Sequence, residues 1–587
     1  MGSTDIERLL ARAEEWRSQD PDPETAAELS RLIAARDGRE LEDRFAGRLA
    51  FGTAGLRGLI GAGPNRMNRA VVRQTTAGLA RHLLDAGSGA RERGVVVARD
   101  GRLMSDVFAE DAAGVLAAFG IPALVLEGTS PTPLAAFAVR DLGACAAAMV
   151  TASHNPREYN GYKVYWENGA QIVPPHDAGI AAAIDAAGPA DRIPVLAPEE
   201  GRARGLIRVM AEDVGRRYLD GLLQLRRNPG RGTDLGVVYS AMHGVGGSWV
   251  MAALRGAGFS RVFPVPEQQE PDGTFPTVRF PNPEEPGAMD LALGLAEREG
   301  ADLVLANDPD ADRLAAVARD AEGKLRPVSG NEIGVLLGHY CLTQGRVPER
   351  PLVLTTIVSS QQLGVIARDL GARYDETLTG FRWVWNRALE LEQAEGVSYV
   401  FGYEEALGYS VGRLARDKDG IGAALVFAEI AAWCRDRGRT VFDYLEEIQR
   451  RHGLFLAAQR NFTFPGLSGA ATIGAIMDGF RERSPSEIAG MPVVSLKDYG
   501  RRVHRRSDGE LPLTLPKSNV LAYELEDGSR VTLRPSGTEP KIKYYFEVRE
   551  PIRGGEPLGE ARARGGARLE RIVAAFEALA RERGQPA

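Results

Sequence analysis

Buried-strand runs and helical stretches alternate along most of the chain, and the alternation repeats three times. The first round predicts strands over 94–98 and 122–126, helices over 104–119 and 133–141, and a third strand over 146–150. In the second, strands are expected over 235–239, 261–265 and 302–306, with helices near 247–256 and 288–299. The third predicts strands over 351–355, near 373–374 and over 397–401, with helices beginning at Gln361 and Phe381. Alternation of this kind gives α/β units with mixed, largely parallel sheets, whose working loops lie beyond the carboxyl ends of the strands.

The flanks read differently. Helices over 3–17 and 23–36 form a preamble, the first with a Thr4-x-x-Glu7 capping box and the second opened by Pro21-Asp22-Pro23. After the third round come helices over 421–435 and to about Arg451, and the pattern then changes to α+β. There a helix over 466–483 and a final one over 558–581 enclose strands such as 520–525. At 587 residues the chain exceeds one core and suggests about three to five domains. The expected division is 1–208, 209–329, 330–453 and 454–587.

Composition narrows the partners. With 44% hydrophobic and 26% charged residues this reads as a soluble protein. A net charge of -7 leaves no basic excess for nucleic acid, so any phosphate bound is small and held locally. Cys145, Cys341 and Cys434 are far apart in apolar or helical surroundings, which fits a reduced compartment, the cytoplasm, rather than a disulfide framework. The charged N-terminal helix does not read as a signal peptide, Ile6 spoils a myristoylation match, and no apolar stretch reaches membrane-spanning length.

Each round ends in an unusual loop. After 146–150 comes Thr151-Ala152-Ser153-His154-Asn155-Pro156, where the proline keeps the preceding residue out of the helical region and the turn presents the Ser153 hydroxyl to a cleft. After 302–306 comes Asp308-Pro309-Asp310-Ala311-Asp312-Arg313. Its three carboxylates suit a divalent cation such as Mg²⁺ that keeps positions open for phosphate oxygens. An EF-hand is excluded, since Arg313 stands where glycine is required and Arg319 where a bidentate glutamate should be. After 397–401 comes Gly402-Tyr403-Glu404-Glu405-Ala406-Leu407-Gly408. Two loops lie outside the repeats. Phe51-Gly52-Thr53-Ala54-Gly55-Leu56-Arg57-Gly58 sets one arginine among glycines, so backbone and charge can both approach a ligand. Arg534-Pro535-Ser536-Gly537-Thr538-Glu539-Pro540-Lys541 forms a small anion cradle, and no Walker loop is present.

Together these loops resemble those of the α-D-phosphohexomutase superfamily, over nearly the whole chain after the preamble. The resemblance implies four domains in a heart-shaped body around a central cleft, the first three sharing one α/β fold and the fourth α+β. It implies that Ser153 is the phosphoserine that donates and recovers the phosphoryl group. Asp308, Asp310 and Asp312, with the Ser153 phosphate, would hold one Mg²⁺, and Arg57 and Lys163 would add positive charge. Arg313, Thr379, Gly380, Arg382, Glu404, Glu405 and Lys418 would meet the substrate, and Arg534, Ser536, Gly537, Thr538 and Lys541 its distal phosphate. His154 and Lys163 are both candidates for the base. Within the superfamily the chain looks closest to the phosphoglucomutase and phosphopentomutase branch. The implied reaction interconverts glucose 1-phosphate and glucose 6-phosphate through a sugar bisphosphate, which also serves as activator. Alternatives are a phosphopentomutase or a sugar-bisphosphate synthase, and the protein would be a monomer or small homo-oligomer. Two departures matter: Ala406 stands where many relatives have serine, and Arg382 where they have lysine. Loss of a hydroxyl at 406 relaxes the demand for a full set of hexose hydroxyls, so ribose or deoxyribose 1-phosphate is expected as an appreciable substrate, with mannose and glucosamine phosphates lagging.

Overall fold

The computed structural model describes residues 3–49, 55–210, 213–230, 234–464, 469–536 and 541–583. The side chain of Thr4, residues 51–54, and Gly537 and Thr538 lie outside the described part. Three successive mixed sheets and one antiparallel sheet account for the described strands. In the first sheet Ala146–Val150 pairs in parallel with Val95–Arg99, and all five of its residues are buried, as a strand covered on both faces requires. The second sheet places Leu303–Ala306 parallel to Val237–Ser240, and the third places Ser398–Glu404 parallel to Pro351–Thr356.

Each of these central strands is followed by an antiparallel return strand that the hydrophobic pattern did not disclose. Tyr159–Trp166 returns along Ala146–Val150, Ala315–Arg319 along Leu303–Ala306, and Gly408–Val411 along Ser398–Glu404. The three unusual loops are therefore the turns of three equivalent strand pairs. Ser398–Glu404 runs three residues beyond the expected end, so Glu404 is a strand residue and only 405–407 form the turn. The preamble also holds a third helix, Gly38–Phe45, capped by Asp37, which was not anticipated. The helix expected from Gly466 is described as Gly469–Glu482.

Helix Gly420–Arg435, capped by the Asp419 carboxylate on the Ile421 and Gly422 amides, explains how the three sheets share a body. It is buried on all sides but one residue and belongs to a core that also takes Val96 and Met149, Tyr239 and Leu305, and Val353 and Phe401. Val95, Val97 and Val150 face the opposite way into a second core with the helix Arg69–Asp85. The fourth sheet, built on the long pair Leu454–Thr463 and Lys541–Glu550, has a core of its own around Phe480, Tyr523, Tyr544 and Phe576.

Candidate active site

Ser153 lies in the left-handed region with φ 55°, where its amide donates to Thr151 Oγ1 at 2.8 Å and Asn155 N–H closes the turn on Ala152 O at 3.1 Å. The bend is tight enough that a Cβ on Gly161, in the return strand, would come within 2.5 Å of the Thr151 carbonyl oxygen. Four carbonyls of this segment, those of Ser153, Asn155, Pro156 and Tyr159, accept from the buried guanidinium of Arg102. Asp100, 3.3 Å from Arg102 Nε, balances its charge, and the Phe275 ring of the second unit covers it at 5.0 Å. Arg102 was missed in the sequence because its partners are backbone atoms some fifty residues away.

The Ser153 hydroxyl donates to Asp308 Oδ2 at 2.9 Å and lies 3.2 Å from His154 Nδ1. Lys163, on the return strand, donates to Asp310 at 2.8 Å and Asp312 at 3.0 Å, and Lys418 Nζ is 3.3 Å from Asp312. Thr132 clamps the acidic loop from the first unit, its hydroxyl on Asp310 Oδ2 at 2.7 Å and its amide on the Asp310 carbonyl. Arg57 holds Asn155 Oδ1 at 2.9 Å. Arg313 joins the loops by donating to the Ala406 carbonyl at 3.1 Å.

The three aspartates have no exposed surface, and one oxygen of each lies within 4.8 Å of the others. Asp310 Oδ1 and Asp312 Oδ1 are buried without a hydrogen-bond donor among the described residues. Burial and the two neighbouring carboxylates push Asp308 well above the usual range, so the cluster asks for added positive charge. Unpaired carboxylate oxygens, hard and convergent, fit a divalent cation such as Mg²⁺. Asp310 is held low: burial would raise it, but Lys163, Thr132 and Lys418 outweigh that. Lys163 is pushed up against the effect of its own burial by Asp310, Asp312 and Asp417, so it stays an ammonium and is a poor proton acceptor. His154 is pushed well down by burial and by Arg313 and Arg57, which leaves a neutral imidazole beside the hydroxyl. Burial lowers Arg57 to about 10.

A cavity of about 460 Å³ opens in front of Ser153. Arg57, His154, Lys163, Asp312, Arg313, Thr379, Gly380, Glu404, Glu405 and Lys418 line it, with Arg534, Ser536 and Lys541 on the wall of the fourth unit. Asp308 and Asp310 sit behind this surface. Glu404 accepts from the Gly380 amide at 2.6 Å, and Glu405 from the Ser359 hydroxyl at 2.9 Å. Arg382 does not line the cavity; its guanidinium lies over Trp383 and 3.9 Å from Asp177. Tyr545, Lys543, Gln459 and Asn461 line the cavity without having been singled out.

Family models described as phosphoglucomutase/phosphomannomutase α/β/α domains I, II and III match residues 48–190, 216–323 and 329–452, and the C-terminal domain matches 493–553. The chain is 35% identical to a mouse protein named phosphopentomutase over 94% of this chain and 92% of that one. It is 40% identical to a Haemophilus influenzae protein named probable phosphomannomutase, over 82% and 93% of the two chains. Identity to a human protein named glucose 1,6-bisphosphate synthase is 36%, over 91% and 89%. A Burkholderia thailandensis phosphoglucomutase/phosphomannomutase family protein shares the fold with a TM-score of 0.65 at 20% identity, covering 92% of this chain and 98% of that one.

Proposed function

Because the chain belongs to the α-D-phosphohexomutase superfamily and is an enzyme of the mutase class, we propose that it moves a phosphoryl group between two positions of a sugar phosphate through a phosphoserine at Ser153. The observation that carries this reading is the pairing of walls: Ser153 Oγ 2.9 Å from Asp308 on one side, and Arg534, Ser536 and Lys541 on the other. A hydroxyl of the bound sugar attacks the phosphorus, the P–Oγ bond breaks, and the hydroxyl proton passes to a base. The sugar bisphosphate then turns over and gives its other phosphate to Ser153. His154, neutral and adjacent, is the group placed to take and return the proton, while Lys163 and Arg57 supply charge to the transferring oxygens. A divalent cation held by Asp308, Asp310 and Asp312 would neutralise the phosphate and polarise it. Arg534, Ser536 and Lys541 would grip whichever phosphate is distal.

The substrates proposed are glucose 1-phosphate and the pentose 1-phosphates. Ala406 supports the pentoses, because it lines the cavity beside Glu404 and Glu405 and brings no hydroxyl that a missing sugar group would leave unpaired. Specificity constants on a panel of hexose and pentose 1-phosphates test this. In Ala406→Ser the hexose-to-pentose ratio should rise roughly 3–10-fold, the scale of one net hydrogen bond of about 1 kcal/mol. An unchanged ratio removes Ala406 from substrate selection. The likeness to the human glucose 1,6-bisphosphate synthase favours a second reading. Faster bisphosphate formation from glucose 1-phosphate and an acyl phosphate than interconversion of the monophosphates would select it.

A further inference from the structure

Asp417 lies beside Lys418 in the segment that joins Gly408–Val411 to Gly420–Arg435, and it is buried without bordering the catalytic cavity. Its carboxylate is held from the first unit. The Tyr165 hydroxyl donates to Oδ2 at 2.5 Å and the Gln171 side-chain amide to the same oxygen at 2.6 Å, while Oδ1 accepts the Lys418 backbone amide at 2.8 Å. Tyr165 and Gln171 face each other across one hairpin. Tyr165 also stands two residues beyond Lys163 on the return strand Tyr159–Trp166, and so on the same face. Around this contact Arg416 donates to the Asn168 carbonyl at 2.7 Å and Asn386 to the Gln171 carbonyl at 3.1 Å. The stem of Lys418 runs across Gly408, where a Cβ would come within 2.4 Å of its Cδ, and its ammonium reaches the cavity 3.3 Å from Asp312. With its backbone fixed by Asp417 and its stem confined at Gly408, Lys418 has one direction to take.

We propose that Asp417 is a positioning residue: gripped by Tyr165 and Gln171 of the first unit, it sets where Lys418 of the third unit projects into the catalytic cavity. The strand that carries Lys163 thereby places both lysines. This rests on the mutase reading and goes beyond it. Ser153 belongs to the first unit and Glu404 to the third, so transfer between Ser153 and a sugar held at Glu404 needs the two units in fixed register at the cavity. An error of about 1 Å there can cost on the order of 100-fold in rate. A carboxylate shared between units, with one oxygen on each side of the joint, fixes that register at the residue next to the working lysine.

The test is a double-mutant cycle on the full-length protein: wild type, Asp417→Asn, Lys418→Met and the pair, with kcat/KM for the mutase reaction and glucose 6-phosphate affinity by calorimetry. Asp417→Asn should lower kcat/KM at least tenfold in the wild type and less than twofold in the Lys418→Met background, with glucose 6-phosphate affinity following the same pattern. A merely structural role would give the same loss in both backgrounds. Tyr165→Phe, which removes one donor to Asp417 outside the cavity, should repeat the pattern at threefold or more, and it replaces Asp417→Asn in the cycle if that variant does not fold. Equal losses in the two backgrounds, or wild-type kinetics and affinity in Asp417→Asn, would overturn the proposal. Absence of mutase activity in the wild type would instead defeat the mutase reading, and the glucose 6-phosphate affinities would then decide Asp417 alone.

Discussion

Ser153, Lys163 and the three aspartates are at most 2% exposed, in turns and a return strand of sheets that share one core, whereas Arg534, Ser536 and Lys541 lie at the ends of two interior strands of a fourth sheet with a separate core. On the proposed function the contrast follows from what each wall would do. Phosphoryl transfer is catalysed mainly by fixed charges and fixed positions, so its residues gain from a body that cannot shift. A distal phosphate presented in two orientations needs donors that can adjust, and a separately cored unit permits that. The fourth unit is still tied down where it meets the third: Arg530 donates to the Ser359 carbonyl, and Glu547 accepts from Gln361 N at 3.1 Å.

Asp310→Asn, on the buried wall, should have the largest effect. Even outer partners of metal ligands cost roughly 10–100-fold, so loss of a ligand should lower turnover by at least about 100-fold. It should also raise the Mg²⁺ concentration for half-maximal rate. Melting temperature should fall modestly, since the substituted amide loses the charge that Lys163, Thr132 and Lys418 stabilise, while Lys163 keeps Asp312 and repulsion with Asp308 is relieved. Metal-dependent rates and calorimetry check both halves, and an unchanged Mg²⁺ dependence would remove this loop from metal binding.

Arg102→Lys probes the rigid wall from behind. A point charge replaces a fork that reaches four carbonyls, so Ser153 loses its fixed position. Misplacement of about 1 Å can cost on the order of 100-fold, so kcat should fall roughly 10–100-fold with KM nearly constant. A rise confined to KM would show that Arg102 acts on binding instead. Arg534→Ala, on the adaptable wall, should show the reverse split. Loss of a charged hydrogen bond of about 1.5–3 kcal/mol should raise KM roughly 10–100-fold, with a smaller change in kcat and the same Mg²⁺ dependence.

The three loops that meet at the cavity were legible because each follows a continuous apolar run and carries residues a plain turn would not need: a serine before His-Asn-Pro, three acids, paired glutamates. Their return strands were not. Ala315–Arg319 is short and alanine-rich, a pattern that suits helix as well as strand, and Tyr159–Trp166 begins too soon after Pro156 to show a period of its own. Arg382 could be read by type but not by direction, which Trp383 and Asp177 decide.

On the proposed function Ser153 itself carries the phosphoryl group. Incubating wild type and Ser153→Ala with glucose 1,6-bisphosphate and mapping phosphopeptides by mass spectrometry tests it most directly. The account predicts one phosphoryl group on the peptide holding Ser153, its loss on addition of glucose 1-phosphate, and neither label nor mutase activity in Ser153→Ala. Label at another residue, or full activity in Ser153→Ala, would contradict it.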